Sequence, residues 1–508
     1  MLTAIDPTGL LPHQPKAAEQ LLRALLTHRA ALDASDMGTG KTAHAVAVLR
    51  ALNDAALVVC PRVSVAGWNR MGARLHTEFD ALHYEALRLG KTPFGWWDHP
   101  MPADRPRIFK CNRCQRTWKT GEPETLCPYP IPNGGPHEST SKPVPHRYGR
   151  FNWHPAIQTL VFDEAHRCSA LDSLQADMLI AARRQRIKTL VLSATIAESP
   201  LHFRALGYLL GLHNLIDSRD GSGPPGFYQW AFRNGCYKLP MLGLRFAVGE
   251  DKKREVLERL HHQLFPEKGC RVRIDSLGDA FPAVEITAEL YDCEAAGRIN
   301  ALYGRMRDAV DRINARRVAD MVAITELLRD RQEIEMLMLP VFVELAQDAV
   351  AEGRHVALFF NFRESVEECC RMLGTTCRVD GSQVGEAGAR RRQKNVDGFQ
   401  ADDEPYIVCT NDAGCESIDL HDIHGNFPRL GLCSLGFSAK KTRQVFGRLR
   451  RALGKSKALY RCVLAAGTVQ ERVHKAVAGK LDRLDMLNDG DLMSAIPNLS
   501  LVKFPEAC

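Results

Sequence analysis

The chain has no apolar run approaching the ~20 residues of a membrane span, so no helical bilayer crossing is expected. Its opening stretch, Met1-Leu2-Thr3-Ala4-Ile5-Asp6-Pro7, has neither the basic head nor the apolar core of a secretory leader. It has no internal repeat and no long low-complexity tract. The 16 cysteines are mostly scattered singly, which excludes the paired framework of a disulfide-stapled domain. From these absences a reducing, cytoplasm-like compartment is expected. Excess charge is scarce too: 67 basic against 60 acidic residues leave +7. That permits a polyanionic partner without demonstrating one. What is present is ordinary globular material, 508 residues at 45% hydrophobic, enough for roughly two to four domains.

The most informative stretch is Ser35-Asp36-Met37-Gly38-Thr39-Gly40-Lys41-Thr42. It lies between a short apolar run, Ala30-Ala31-Leu32, and the helical pattern Ala43 to Leu49. A strand, a glycine turn and a helix start therefore follow one another. Gly38 and Gly40 let the backbone wrap a phosphate and turn its N–H groups inward. The helix N-terminus adds partial positive charge there. Lys41 suits the β- and γ-phosphates, and the Thr42 hydroxyl suits Mg²⁺. Ser35 stands where such loops usually have a leading glycine. The plain alternative is a chance glycine turn before a helix.

Upstream, Ala17, Leu21, Leu22, Leu25 and Leu26 fall on one helical face, and Gln14 sits just before it. Its amide can donate and accept at once, as an adenine edge requires, or it can simply neighbour a helix start. Downstream, Ala56 to Cys60 reads as a buried strand stopped by Pro61. Thr159 to Phe162 is another, ending in Asp163-Glu164-Ala165-His166. Two carboxylates at the end of an apolar strand fit the edge where nucleotides bind to open α/β sheets. Asp163 would hold Mg²⁺, and Glu164 would orient or deprotonate the attacking water. Leu190 to Leu192 is a further strand, with Ser193 and Thr195 after it. These hydroxyls either connect the nucleotide site to a moving part or cap a helix.

Between about residues 90 and 150, proline and glycine become dense, and little regular structure is expected. Cys111-Asn112-Arg113-Cys114 could present two thiolates to one tetrahedral ion. Cys127 and a histidine would complete a structural zinc site. His137 is the first choice, with His146 and His99 as alternatives. A segment so poor in apolar residues needs such a staple; otherwise it is a plain loop with reduced thiols.

The second half alternates again. Residues 298–338 read as charged, solvated helix. His355 to Phe360 and Tyr406 to Thr410 read as buried strands, with a helix over 364–373 and a strand end at Val379-Asp380. Strands alternating with helices make a second α/β domain. It carries Gln444-Val445-Phe446-Gly447-Arg448-Leu449-Arg450-Arg451, in which Gln444, Arg448 and Arg451 would share one side of a helix. Either this is a basic solvated helix, or Arg448 and Arg451 reach across a cleft to the γ-phosphate.

Taken in order, these blocks resemble the superfamily-two helicases and ATPases, and more closely the Swi/Snf-type DNA translocases, over roughly residues 8–487. Gln14, Gly38 to Thr42, Val58 to Pro61, the DEAH-type box Asp163 to His166 and Ser193 to Thr195 match the first half. Phe359 to Phe362, Thr410 to Leu420 and Gln444 to Arg451 match the second. Ser193 to Ser199 running into residues 201–212, Cys270 to Arg273 with Phe281-Pro282, and Leu464 to Val473 favour the Swi/Snf-like branch. Ser-Ala-Thr in place of Gly-Thr-Pro, and Ser417 in place of glycine, depart from it.

The resemblance implies an α/β fold with two RecA-like parallel-sheet lobes, helical insertions and a small zinc-binding insertion. It divides the chain into a first lobe over 1–288 with the cysteine-containing insertion at 92–150, a helical linker over 289–340, a second lobe over 341–487 and a tail over 488–508. ATP and Mg²⁺ would bind between the lobes, with Thr39, Asp419 and Gln444 added to the nucleotide contacts. Arg62, Ser64, Asn361, Thr410 and Lys441 would touch nucleic acid on a separate face. The implied function is an ATP-dependent translocase on DNA, duplex before single-stranded. A strand-separating DNA or RNA helicase is the alternative. A DNA-binding module with a vestigial ATP site is a third reading, weakened by the presence of Lys41, Asp163, Glu164, Arg448 and Arg451 together.

Overall fold

In the computed structural model, the described residues are those of 4–471 other than 91, 99–106, 112–116, 121–138, 144–149, 172, 194–198, 217–222, 240–242, 247–249, 275, 278–281, 283, 317–320, 384, 412–417, 435–444 and 452–453. The fold is α/β with two six-stranded parallel sheets. Among the described residues no helix is long and apolar enough to cross a membrane.

The first sheet runs Gly269–Cys270, Ala30–Asp33, Lys188–Leu192, Thr159–Phe162, Ala56–Cys60, Asp80–His83. Three of its strands, Ala30–Asp33, Ala56–Cys60 and Thr159–Phe162, are buried throughout and mostly apolar because both faces are covered. Alternate residues serve opposite cores. Leu57 and Val59 pack with the helix Leu174–Arg184. Ala56, Val58 and Cys60 pack with the helices Gln14–His28 and Lys41–Leu52. Leu26, expected on the buried face of its helix, is exposed.

The second sheet runs Val284–Tyr291, Ala458–Ala465, Arg429–Cys433, His355–Phe360, Tyr406–Thr410, Arg378–Val379. Val356, Leu358 and Phe360 face one core, and Ala357 and Phe359 face the other. The helices Ala296–Arg316 and Met321–Ala351 are not the solvated linker expected. Ile299, Leu302, Met306, Ile334 and Met338 are buried in the second sheet's core. Many of their charges lie outward, for example in the pair Arg298–Glu333. With Val284–Tyr291 also in the second sheet, the change of sheet falls between Cys270 and Val284, earlier than the boundary at 288 and 341.

Residues 92–150 contain more regular structure than their composition suggests. Gly95–Trp97 pairs antiparallel with Phe151–Trp153. Trp97, Phe151 and Trp153 stack edge-on at 4.9 and 4.8 Å, which seats this neck on the first core. Beyond it the backbone forms a three-stranded antiparallel sheet, Thr117–Thr120, Arg107–Cys111, Ser139–Pro143. Cys111 ends the middle strand. Cys114, Cys127, His137, His99 and His146 lie outside the described residues.

Candidate nucleotide site between the two sheets

The loop after Ala30–Asp33 turns through Gly38 (φ +89°) and Gly40 (φ +97°), left-handed values that glycine adopts without strain. Asp33 anchors its start, accepting from the Ser35 N–H at 2.9 Å and meeting His44 Nδ1 at 2.8 Å. The Lys41 ammonium curls back onto the loop, donating to Ser35 O at 2.9 Å and Asp36 O at 3.1 Å. Burial lowers its pKa, against the opposing charges of Asp33, Glu164, Asp163 and Asp36.

Gln14 lies across the loop: its Nε2 donates to Thr39 O at 3.2 Å, and a Cβ on Gly40 would sit 2.1 Å from that nitrogen. Gly40→Ala therefore has to displace Gln14 and strain the turn. We expect nucleotide affinity to fall about tenfold, of the order of 1–3 kcal/mol for such strain. Titration with a fluorescent ATP analogue checks this; unchanged affinity would show that the turn does not need glycine.

Asp163 and Glu164 leave the end of Thr159–Phe162 into the same space. Trp68 Nε1 and the Glu164 N–H each donate to the Asp163 carboxylate at 2.9 Å, and the Tyr84 hydroxyl donates to Asp163 O at 2.7 Å. Glu164 is a non-glycine residue at φ +50°, an uncommon conformation. Its Oε2 lies 3.2 Å from His166 Nδ1, which is 3.4 Å from Ser193 Oγ. Burial and the neighbouring Glu164 charge push Asp163 up. Glu164 is held low despite burial by His166, Lys41 and Arg448. Two crowded carboxylates beside the Thr42 hydroxyl form a hard oxygen donor set, which fits Mg²⁺.

The other wall comes from the second sheet. Arg448 is buried and donates from Nη1 to Ile418 O at 3.0 Å. Arg451 Nε pairs with Asp419 Oδ1 at 2.5 Å, and Arg451 Nη1 donates to Gly447 O. The expected helix over 444–451 is absent here: helical backbone ends at Phe446, and a bend carries Arg448. The bend brings the arginines to the first lobe. A Cβ on Gly38 would lie 3.1 Å from both Arg450 O and Arg451 Cδ. The two walls enclose a cleft of about 520 Å³, within the usual range for small-molecule sites, lined by Gln14, Gly38, Gly40, Lys41, Thr42, Asp163, Glu164, Asp419, Arg448 and Arg451.

Residues given no role from sequence also line it. Trp68, Arg70, Met71 and Arg74 come from one face of the helix Val65–Arg74, and His421 from the far side. Their i, i+3 and i+4 spacing was the available signal. His166 was visible within the Asp-Glu-Ala-His box. The nucleic-acid candidates are more dispersed. Arg62 is exposed, but Ser64 is buried and lines the nucleotide cleft itself. Thr410 is buried at the end of its strand. The Asn361 amide is held internally by Glu335, Ser434 and Asn411. Lys441, Gln444 and Thr195 lie outside the described residues.

Beneath the loop, ligand-type atoms of Asp33, His44 and Cys270 lie within 4.8 Å of one another. Burial and the Asp33 charge push the Cys270 thiol well up.

No protein-family model matches the chain. It is 27% identical over 496 residues, 95% of this chain and 84% of the relative, to a putative ATP-dependent RNA helicase of Acanthamoeba polyphaga mimivirus. The chain resembles the superfamily-two helicases. The solved SWI2/SNF2 ATPase core of Sulfolobus solfataricus in complex with dsDNA aligns over 97% of this chain and 96% of its own, at 13% identity and a TM-score of 0.34. A score so low carries no argument about shape or substrate.

Proposed function

We propose that the protein is a nucleic-acid-dependent ATPase that hydrolyses ATP between its two lobes and uses their closure to move along or remodel DNA. The observation that carries this is the shared cleft. Lys41, Thr42, Asp163 and Glu164 come from one sheet, and Arg448 and Arg451 from the other. Gln14 would read the base, the loop from Gly38 to Lys41 would cradle the phosphates, and Thr42 and Asp163 would hold Mg²⁺, which would offset phosphate charge. Glu164 takes the proton of the attacking water, and the arginines stabilise charge on the transferred phosphoryl group. Ser193, through His166, links this chemistry to the movement of the lobes.

Arg62 on the first lobe, and the strand ends carrying Asn361 and Thr410 on the second, are our candidates for the nucleic-acid face. Phosphate contacts there would give binding that weakens with salt. A strand-separating helicase is the second reading, favoured by the likeness to the putative RNA helicase of the virus.

The test is ATP turnover with linear duplex DNA, poly(dT) and poly(U) in parallel, with strand displacement alongside. We expect about tenfold or greater stimulation by duplex DNA and no displacement, the electrostatic grip being lost at high salt. Stimulation by poly(U) with strand displacement selects the helicase reading. No stimulation by any of the three removes the nucleic-acid assignment.

A further inference from the structure

Glu335 is almost completely buried, at 4% exposure, yet it carries a carboxylate. Burying a charge is costly unless every lone pair is used. Here they are. The Asn361 N–H donates to Oε1 at 3.0 Å and Oε2 at 2.9 Å, and the Phe362 N–H donates to Oε1 at 3.0 Å. Asn361 Nδ2 and the Ser434 hydroxyl donate to Oε2 at 2.7 and 2.6 Å.

The partners are not neighbours. Glu335 belongs to the long helix Met321–Ala351, Asn361 follows the strand His355–Phe360, and Ser434 follows Arg429–Cys433. Asn411, following Tyr406–Thr410, joins through Asn361 Oδ1 at 2.9 Å. One carboxylate thus ties a helix to the ends of two adjacent strands, and Asn361 extends the network to a third. One turn earlier on the same helix, the Arg331 guanidinium lies 5.9 Å from the Phe362 ring centroid. Phe362 is the N-cap residue of the helix Arg363–Leu373, and Glu335 accepts its backbone N–H, one of the donors that a helix start leaves without an intrahelical partner. An apolar side chain would fill this place without desolvating a charge. A carboxylate adds directional control of the loop.

We propose that Glu335 is a positioning residue for the nucleic-acid face of the second lobe. It fixes the Asn361–Phe362 loop and Ser434 in the geometry through which bound nucleic acid stimulates ATP hydrolysis. This rests on the reading of the protein as a nucleic-acid-dependent ATPase.

The full chain carrying Glu335→Gln tests it. Glutamine keeps the shape but loses the charge and turns an N–H₂ towards donors. The concentration of duplex DNA or poly(dT) giving half-maximal stimulation should rise about tenfold or more, as expected for loss of charge-assisted hydrogen bonds. Turnover without nucleic acid, and its KM for ATP, should stay within about twofold, because the cleft residues do not contact Glu335. Amide exchange across 361–373 should quicken. Ser434→Ala, which removes one donor and leaves the carboxylate, should give a smaller shift in the same direction. Glu335→Asp should restore part of the stimulation. Should Glu335→Gln fail to fold, these two milder variants decide. Wild-type stimulation curves in the variants overturn the proposal, as does an equal fall in stimulated and unstimulated rates, which marks a general structural role. A wild-type protein that no nucleic acid stimulates removes the functional reading first, and this inference with it.

Discussion

Lys41→Ala is expected to reduce ATP turnover by about three orders of magnitude or more, a loss on the scale of a principal charge-stabilising group. The reason lies in what surrounds the ammonium. Asp33, Asp36, Asp163 and Glu164 all act on it through their charges. Without Lys41, the first-lobe wall would present carboxylates to a polyanion, and only the loop N–H groups, the helix N-terminus and Mg²⁺ would oppose them. The ammonium is now held by Ser35 O and Asp36 O, neutral acceptors that it can exchange for phosphate oxygens without leaving a buried charge unpaired. Alanine also leaves the Gly38 and Gly40 turn intact, so the fold should persist, with a melting temperature close to wild type. Steady-state hydrolysis at saturating Mg²⁺-ATP is the measurement. A residual rate above about a tenth of wild type would show that the phosphates lie elsewhere, since a tenfold loss corresponds to only about 1.4 kcal/mol.

The first-sheet half of the candidate site was legible because its signals are local. A strand, two glycines and a helix start occupy consecutive positions, and the Asp163-Glu164 pair follows directly on its own apolar strand. The second lobe was harder for the opposite reason. Gly38 meets Arg451 across the cleft, and no pattern within either stretch encodes that contact. The helices Ala296–Arg316 and Met321–Ala351 looked solvated because charged residues recur along both of them. Their apolar residues include a set that packs together and fills a core. Val284–Tyr291 was missed as a strand because it is only half-buried and alternates polar with apolar residues, unlike the continuous runs of the inner strands. Asn361 was correctly placed at a strand end, but its side-chain bonds depend on Glu335, which sequence alone presented as one more charge on a charged helix.

Glu164→Gln separates binding from chemistry most sharply. We expect turnover to fall about a thousandfold, within the usual contribution of a positioned general base, while ATP affinity stays within about threefold. Glutamine reproduces the length of the side chain and can occupy the same left-handed backbone position, so the loop and the Asp163 carboxylate keep their places. What it cannot do is accept a proton from water. The wild-type carboxylate is ionised because His166, Lys41 and Arg448 outweigh its burial. A base held low in this way stays competent as pH falls. Removing the imidazole in His166→Ala should raise the pKa of Glu164, so that activity is lost at higher pH than in the wild type, which distinguishes a base tuned by its neighbour from one that only supports the loop. Because ATP remains bound and unhydrolysed in Glu164→Gln, the lobes should dwell in the closed arrangement, and nucleic-acid affinity measured with ATP should differ from that measured with ADP. If Glu164→Gln instead hydrolyses ATP at more than a tenth of the wild-type rate, the proton goes to another group, and the strained backbone at residue 164 serves the shape of the cleft rather than its chemistry.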